Sequence, residues 1–146
     1  MDQTPEQVLA KSLVAENKLN KLIDEVKKNN NLKANEIIIG GFSQGCMITL
    51  QTGLKRKDAV NSLIGYSGRI IDTDHLSKNI NSRPQIILMH GDIDQVVSIE
   101  SLLEAKDFFN KNNYEIKTQI FKNCEHRIPT EGSSLGLQFI KKQFNS

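Results

Sequence analysis

The strongest chemical signal in this sequence is a serine between two glycines, in the run Gly41-Phe42-Ser43-Gln44-Gly45. A G-x-S-x-G run that joins a buried strand to a helix is typical of a sharp turn that projects a nucleophilic serine. We therefore predict Ser43 as a nucleophile, with flanking glycines that let the strand and helix backbones approach without a Cβ clash. The backbone N–H of Gln44, at the start of the helix, would face a developing oxyanion. The alternative is a serine that only caps the helix at a tight glycine turn.

A serine hydroxyl needs a neighbouring base, and the base needs a group that orients it. For a serine on a turn of this kind, the chain order is serine, then a carboxylate, then histidine. His126 is the only histidine after the last predicted strand, so we predict it as the base. His75 lies in a polar loop, where we expect it to be solvated. His90 closes a predicted strand, where we expect a hydrogen-bonded, partly buried structural histidine.

Four aspartates compete for the role of the carboxylate. Asp92 and Asp94 lie just beyond His90-Gly91, at the carboxyl end of a predicted strand. Residue chemistry does not choose between these two. Asp72 and Asp74, which follow the preceding strand, are a further option. For all four, the non-catalytic explanation is turn capping, at which aspartate excels.

Two other chemistries have weaker support. Cys46 and Cys124 are too few for a disulfide framework and lack C-x-x-C spacing, so we expect reduced thiols. Cys46 lies inside a predicted helix and is expected to fill space. Cys124 is expected to be exposed in a loop, where it remains an alternative nucleophile for His126. The glycines at positions 40, 41 and 45 follow a strand but lack the G-x-G-x-x-G spacing of a dinucleotide site.

The apolar pattern predicts the elements that must position these residues. Thr4-Pro5-Glu6-Gln7 forms a capping box at the start of an amphipathic helix, which Asn29-Asn30-Asn31 ends. Near-continuous apolar strands between helices predict an α/β three-layer fold with a mostly parallel sheet. The predicted strands span residues 37–39, 62–66, 85–89 and 116–121. The last of these is expected to lie nearer an edge of the sheet. The later helices are predicted at residues 44–55, 99–112 and 131–144. The expected apolar faces of the helices contain Leu9, Leu13, Leu19, Leu22, Ile23, Val26, Met47, Leu50, Leu54, Leu102, Leu103, Phe109, Phe139, Ile140 and Phe144.

Composition narrows the class of protein. The chain has 146 residues, of which 38% are hydrophobic and 25% charged, as in an ordinary globular domain. Its net charge of +2 is too small to predict a nucleic acid or a membrane surface as a partner. No apolar run approaches the roughly 20 residues of a membrane span, and the first residues lack the features of a signal peptide. We therefore expect a cytoplasmic protein.

Three segments together resemble the phospholipase/carboxylesterase family, which includes bacterial carboxylesterases and acyl-protein thioesterases. They are residues 40–45 (GGFSQG), residues 90–97 (HGDIDQVV) and His126. The resemblance implies an α/β-hydrolase fold, with residues 1–146 as a single, partial domain. It also implies a serine hydrolase of carboxylic esters or thioesters, with Ser43 as nucleophile and His126 as base, that needs no metal or organic cofactor. In the family the aspartate ahead of the Val-Val pair is the acid, which favours Asp94 over Asp92.

The sequence departs from the family pattern in three places. Cys46 stands where the family usually repeats glycine, and Gln95 stands where proline is common. Family members also begin with several strands that this chain lacks, one of which leads to the second oxyanion donor. The strand predicted at residues 37–39 would then have an open edge that favours pairing with another chain. The alternative is therefore a catalytically impaired module that acts without catalysis or depends on a partner, either a second copy or a complementing N-terminal fragment.

Overall fold

The computed structural model of the protein describes residues 3–145 and has the predicted alternation of strands and helices. The strands are β1 (Ile38–Phe42), β2 (Ser62–Tyr66), β3 (Gln85–Gly91) and β4 (Lys117–Phe121). The helices are α1 (Pro5–Asn30), α2 (Gln44–Lys55), α3 (Thr73–Ser77), α4 (Glu100–Lys111) and α5 (Thr130–Phe144), with a 3₁₀ turn at Ala34–Glu36 before β1. Within residues 3–145, none of the helices combines the length and the apolar character that a membrane crossing requires.

The four strands form one parallel sheet in the order β1-β2-β3-β4. Because all four run the same way, their carboxyl ends lie along one edge, with Phe42 beside Tyr66 and Gly91 beside Phe121 in register. The loops that follow β1, β3 and β4 therefore leave the sheet on the same side. In the described chain β1 pairs only with β2, so its outer edge is open, as expected.

Helices cover both faces of the sheet, which confirms the three-layer prediction. Successive strand residues point to opposite faces, so Leu63 and Ile86 contribute to one buried cluster while Ile64 and Ile87 contribute to the other. The first cluster includes side chains from α1, α2 and α4, and the second includes Phe139 from α5. Strands buried on both sides explain the near-continuous apolar runs in the sequence.

The first helix begins with the predicted capping box. The N–H of Gln7 donates to the Thr4 hydroxyl at 3.1 Å, and the N–H of Thr4 donates to Oε1 of Gln7 at 2.9 Å. Asn31, with φ of 51°, ends the helix in the left-handed conformation that asparagine tolerates. Ile23 is buried, but Leu22 is 54% exposed, so its placement on the apolar face is wrong.

Three other expected core side chains also lie outside the core. In α4, Leu102 and Phe109 face the sheet, and Leu103, one position round the helix, is 44% exposed. In α5 the buried face carries Gly132, Gly136 and Phe139 at spacings of four and three. Ile140 and Phe144 therefore point outward, with exposed fractions of 36% and 48%. The sequence correctly predicts that these helices have an apolar face. The side chains that contact the sheet determine which residues lie on that face.

Candidate active site

Ser43 is the single residue between β1 and α2, and its backbone is strained. Its φ of 57° and ψ of −117° lie in a region that residues with a Cβ rarely adopt. A conformation of this kind costs about 1–3 kcal/mol and persists only where the surroundings hold it. Here the N–H of Ser43 donates to the carbonyl of Tyr66 at 2.8 Å, and its carbonyl accepts from the N–H of Met47 at 3.1 Å. The neighbouring strand and the following helix thus hold the serine above the sheet edge.

The close approach of strand and helix depends on one glycine rather than two. A Cβ built on Gly41 would lie 2.3 Å from both the carbonyl carbon and the carbonyl oxygen of Gly45. A Cβ built on Gly45 would meet no heavy atom within 4 Å. The sequence expectation that both glycines prevent a clash is therefore wrong for Gly45, whose Cβ position faces open space.

These two glycines make a matched pair of variants. We expect Gly41→Ala to destabilise the protein by about 1–3 kcal/mol or more, because backbone atoms on both sides of the turn would have to shift. We expect Gly45→Ala to be neutral or to stabilise by up to about 1 kcal/mol, since alanine is the better helix former. Urea unfolding of the two variants measures the difference. Equal stabilities would contradict this description of the turn.

His126 lies in the loop between β4 and α5, within reach of Ser43. Its Nε2 is 3.1 Å from Oγ of Ser43, and its Nδ1 is 2.7 Å from Oδ2 of Asp94. Since a carboxylate only accepts hydrogen bonds, Nδ1 carries the proton of the neutral ring and Nε2 is free to accept one from the serine. One face of the imidazole contacts the Phe42 ring, with 4.7 Å between ring centroids. The structure brings together the three residues that the family resemblance singles out.

Asp94 follows β3, and its side chain is fully buried. Oδ1 accepts the N–H of Val96 at 2.9 Å and of Val97 at 2.8 Å, which leaves Oδ2 facing His126. Burial by itself raises the pKa of the Asp94 carboxyl, but the hydrogen bonds from His126, Val97 and Val96 outweigh it and hold the pKa below its ordinary value. The residue types gave no signal for these two backbone donors, because any non-proline residue carries an N–H.

The lowered pKa of Asp94 has a consequence for stability. The carboxylate contributes stability above its unfolded pKa of about 3.9, and this contribution is lost as the pH falls through the lower folded value. We expect Asp94→Asn to be destabilising at pH 7 and the difference from wild type to shrink below about pH 4. Urea unfolding of both proteins at several pH values measures this difference, and a constant difference would contradict it.

Two of the other three candidate aspartates have local structural partners. Oδ1 of Asp92 accepts the N–H of Cys124 at 3.3 Å, and so links the loop after β3 to the loop after β4. Oδ1 of Asp72 accepts the N–H of His75 at 2.9 Å and caps α3. Asp74 lies exposed in the first turn of that helix. Turn and helix capping, the non-catalytic explanation, fits Asp92 and Asp72.

The two remaining histidines differ in how well they match expectation. His90 is hydrogen-bonded, with Nε2 at 2.7 Å from the carbonyl oxygen of Val97, and at 2% exposure it is more deeply buried than expected. His75 is half-buried rather than solvated, and its Nε2 lies 2.8 Å from Nζ of Lys55. The loop that carries His75 folds into α3 and packs against α2, which its polar sequence did not indicate.

Both cysteines are free and buried. The side chain of Cys46 occupies a notch made by two glycines, because a Cβ at Gly65 or Gly68 would lie 2.5 Å from its Sγ. Burial raises the pKa of the Cys46 thiol to about 12, although a backbone hydrogen bond from Gly68 opposes this. Cys124 is only 2% exposed, so the expectation of an exposed loop thiol is wrong. The loop folds back on itself, with the Sγ of Cys124 facing the carbonyl of Glu125 at 3.5 Å.

Comparison with known proteins shows that this sequence is similar to those of phospholipases, carboxylesterases and acyl-protein thioesterases. A family model described as phospholipase/carboxylesterase matches residues 2–144. Acyl-protein thioesterase 1 of Saccharomyces cerevisiae is 34% identical over 140 residues, which cover 89% of this chain and 60% of the relative. The same-named protein of Yarrowia lipolytica is 33% identical over 132 residues, covering 88% of this chain and 55% of the relative. The chain thus spans little more than half the length of these curated relatives.

Solved structures show the same partial coverage. The crystal structure of esterase PE8 superposes with a TM-score of 0.91 at 26% identity, covering 98% of this chain and 66% of that one. The crystal structure of Arabidopsis thaliana SOBER1 superposes with a TM-score of 0.81 at 19% identity, covering 97% of this chain and 67% of that one. At that identity the second likeness supports the fold alone.

Proposed function

This chain belongs to the phospholipase/carboxylesterase family, and we propose that it hydrolyses carboxylic ester or thioester bonds with Ser43, His126 and Asp94 as its catalytic triad. The observation that carries the proposal is the unbroken series of contacts from Asp94 through His126 to Ser43, with distances of 2.7 and 3.1 Å. The three residues follow three different strands of one parallel sheet, so the fold brings together positions that are far apart in sequence.

In this proposal, Oγ of Ser43 attacks the acyl carbonyl carbon while its proton passes to Nε2 of His126. Asp94 stabilises the resulting imidazolium through Nδ1. The tetrahedral intermediate collapses to an acyl-serine, and the departing alcohol or thiol takes the proton from His126. A water molecule then attacks the acyl-serine and gives its proton to His126. Collapse of the second intermediate releases the carboxylic acid and returns the proton to Ser43.

The oxyanion of each intermediate needs hydrogen-bond donors, and we propose the N–H of Gln44 as one of them. Gln44 is the first residue of α2, and the first N–H groups of a helix have no partner within it. The positive end of the helix dipole adds to the attraction. The absence of one donor typically costs about 10²–10³ in kcat, so a protein that supplies only this donor is expected to be slower than a hydrolase with two.

Turnover of short acyl esters by the purified chain tests this function. The substrates are p-nitrophenyl acetate and its thioester counterpart, and the control is His126→Gln, which keeps a polar side chain but removes the base. Faster release of either leaving group by wild type than by the control supports the proposal. Equal rates in well-folded proteins would exclude an active triad in this chain and favour the second candidate.

The second candidate is a catalytically impaired module that depends on a partner, and the open edge of β1 favours it. An apolar groove of about 500 Å³ lies beside that edge, between the sheet and α5. Ile38, Phe42, Tyr66, Leu137 and Ile140 are among its lining residues. In a protein of this class both sheet faces are normally covered, and an unpaired edge with apolar surroundings accepts a further strand.

The handedness of the fold indicates which strand would occupy this edge. α1, α2 and α4 all pack on the same face of the sheet, and each strand-to-strand connection advances in the order β1, β2, β3, β4. Since such connections are almost always right-handed, a strand that precedes α1 would lie on the open side of β1. The favoured partner is therefore a complementing N-terminal fragment rather than a second copy.

Light scattering, which measures the oligomeric state, combined with the ester assay distinguishes a second copy from a complementing N-terminal fragment as the partner. A dimer would point to the second copy, and a monomer with weak turnover would support dependence on a complementing fragment. A monomer as fast as a hydrolase with two oxyanion donors would contradict the second candidate.

A further inference from the structure

His90 is a buried histidine that the proposed reaction does not use directly. It is the penultimate residue of β3, and its side chain is 1% exposed. Its Nε2 lies 2.7 Å from the carbonyl oxygen of Val97. A carbonyl oxygen only accepts hydrogen bonds, so Nε2 carries a proton and donates it to Val97.

The partner of His90 belongs to the turn that holds Asp94. The N–H of Val97 donates to Oδ1 of Asp94 at 2.8 Å, while the carbonyl of the same residue accepts from His90. Both backbone groups of Val97, its N–H and its carbonyl, therefore form hydrogen bonds with side chains. Val96, which supplies the other donor to Oδ1, has a side chain that is largely exposed and packs little against the protein.

We propose that His90 is a positioning residue for the triad, which acts on Asp94 through the backbone of Val97. By holding the Val97 carbonyl, it keeps the N–H groups of Val96 and Val97 on Oδ1 of Asp94 and leaves Oδ2 directed at His126. The Nε2 of His90 is also 3.6 Å from Oδ2 of Asp94, which is too far for a hydrogen bond, so the contact with Asp94 runs through Val97. The expected effect on the reactivity of Ser43 rests on the proposed function, whereas the orientation of Asp94 towards His126 does not.

The test compares three variants with wild type. His90→Ala removes the donor to Val97, and His90→Gln keeps an N–H donor at a similar reach. Leu54→Ala is the control for lost stability, because Leu54 is fully buried in α2 and lies outside the loop that holds Asp94. The first measurement is the proton NMR signal of the His126 Nδ1–H, which its short hydrogen bond to Asp94 shifts downfield. This signal needs no turnover, so it remains informative if the hydrolase proposal fails.

We expect His90→Ala to lose the Nδ1–H signal, and His90→Gln and Leu54→Ala to retain it. In the same series, the rate at which a fluorophosphonate labels Ser43 should fall by about 10- to 100-fold in His90→Ala alone, since a misplacement of about 1 Å has effects of that size. Retention of the signal in folded His90→Ala would overturn the proposal. So would its equal loss in Leu54→Ala, because the effect would then follow general stability.

Discussion

Replacement of Ser43 by alanine is expected to reduce ester hydrolysis by a factor on the order of 10⁶, as in enzymes whose triad acts as a unit. Alanine keeps the backbone of the turn but removes the Oγ that lies 3.1 Å from Nε2 of His126. His126 then has no hydroxyl to activate, and only background attack by water remains. The measurement is the steady-state release of p-nitrophenol from p-nitrophenyl acetate, corrected for the reaction without protein.

Ser134→Ala is the matched control for this variant, because Ser134 is an exposed serine of α5. We expect it to hydrolyse the ester at the wild-type rate. Undiminished turnover in Ser43→Ala would show that another residue is the nucleophile.

Replacement of Asp94 by asparagine is expected to lower kcat by about 10⁴, the effect typical of the wrong histidine tautomer in a triad. The amide oxygen would take the two N–H groups of Val96 and Val97, so the amide nitrogen would face His126. Two donors cannot share a hydrogen bond, and Nδ1 would therefore lose its proton to Nε2. A protonated Nε2 cannot accept the proton of Ser43. The measurement is kcat for the same ester at neutral pH.

Asp92→Asn is the matched control, since it changes the other aspartate of the same loop. Its amide oxygen can still accept the N–H of Cys124, so we expect less than about a threefold change in kcat. A loss in Asp92→Asn as large as that in Asp94→Asn would mean that the whole loop, rather than one carboxylate, determines the rate.

The strongest local patterns predicted the fold well. α2 and β2 have the predicted boundaries, because the glycine turn and the polar flanks mark their ends. The predicted position of β1 is wrong, because the isoleucine run at residues 37–39 indicates a strand that ends before Gly40-Gly41. The strand continues through both glycines to Phe42 because pairing with β2 supplies backbone hydrogen bonds that glycine propensity does not reveal.

The candidate site could be predicted from the sequence only in part. The glycine spacing marked Ser43, and the chain order marked His126. Residue types left Asp92 and Asp94 equivalent, because both follow β3, and only the family resemblance separated them. What distinguishes them in the structure is backbone geometry, namely the two N–H groups that orient Asp94. The burial of Cys124 could not be predicted for a similar reason. Buried residues in an irregular loop do not recur at a regular spacing in the sequence, as they do in a helix or a strand.

Fluorophosphonate labelling of the purified chain, followed by peptide mapping, tests the central claim most directly. The reagent forms a covalent bond only with a serine whose base and acid are assembled, so it reports the triad without a choice of substrate. We predict a single adduct on Ser43 that forms in wild type and is lost in His126→Gln. A folded chain that stays unlabelled, or an adduct on another residue, would contradict the assignment of Ser43, His126 and Asp94.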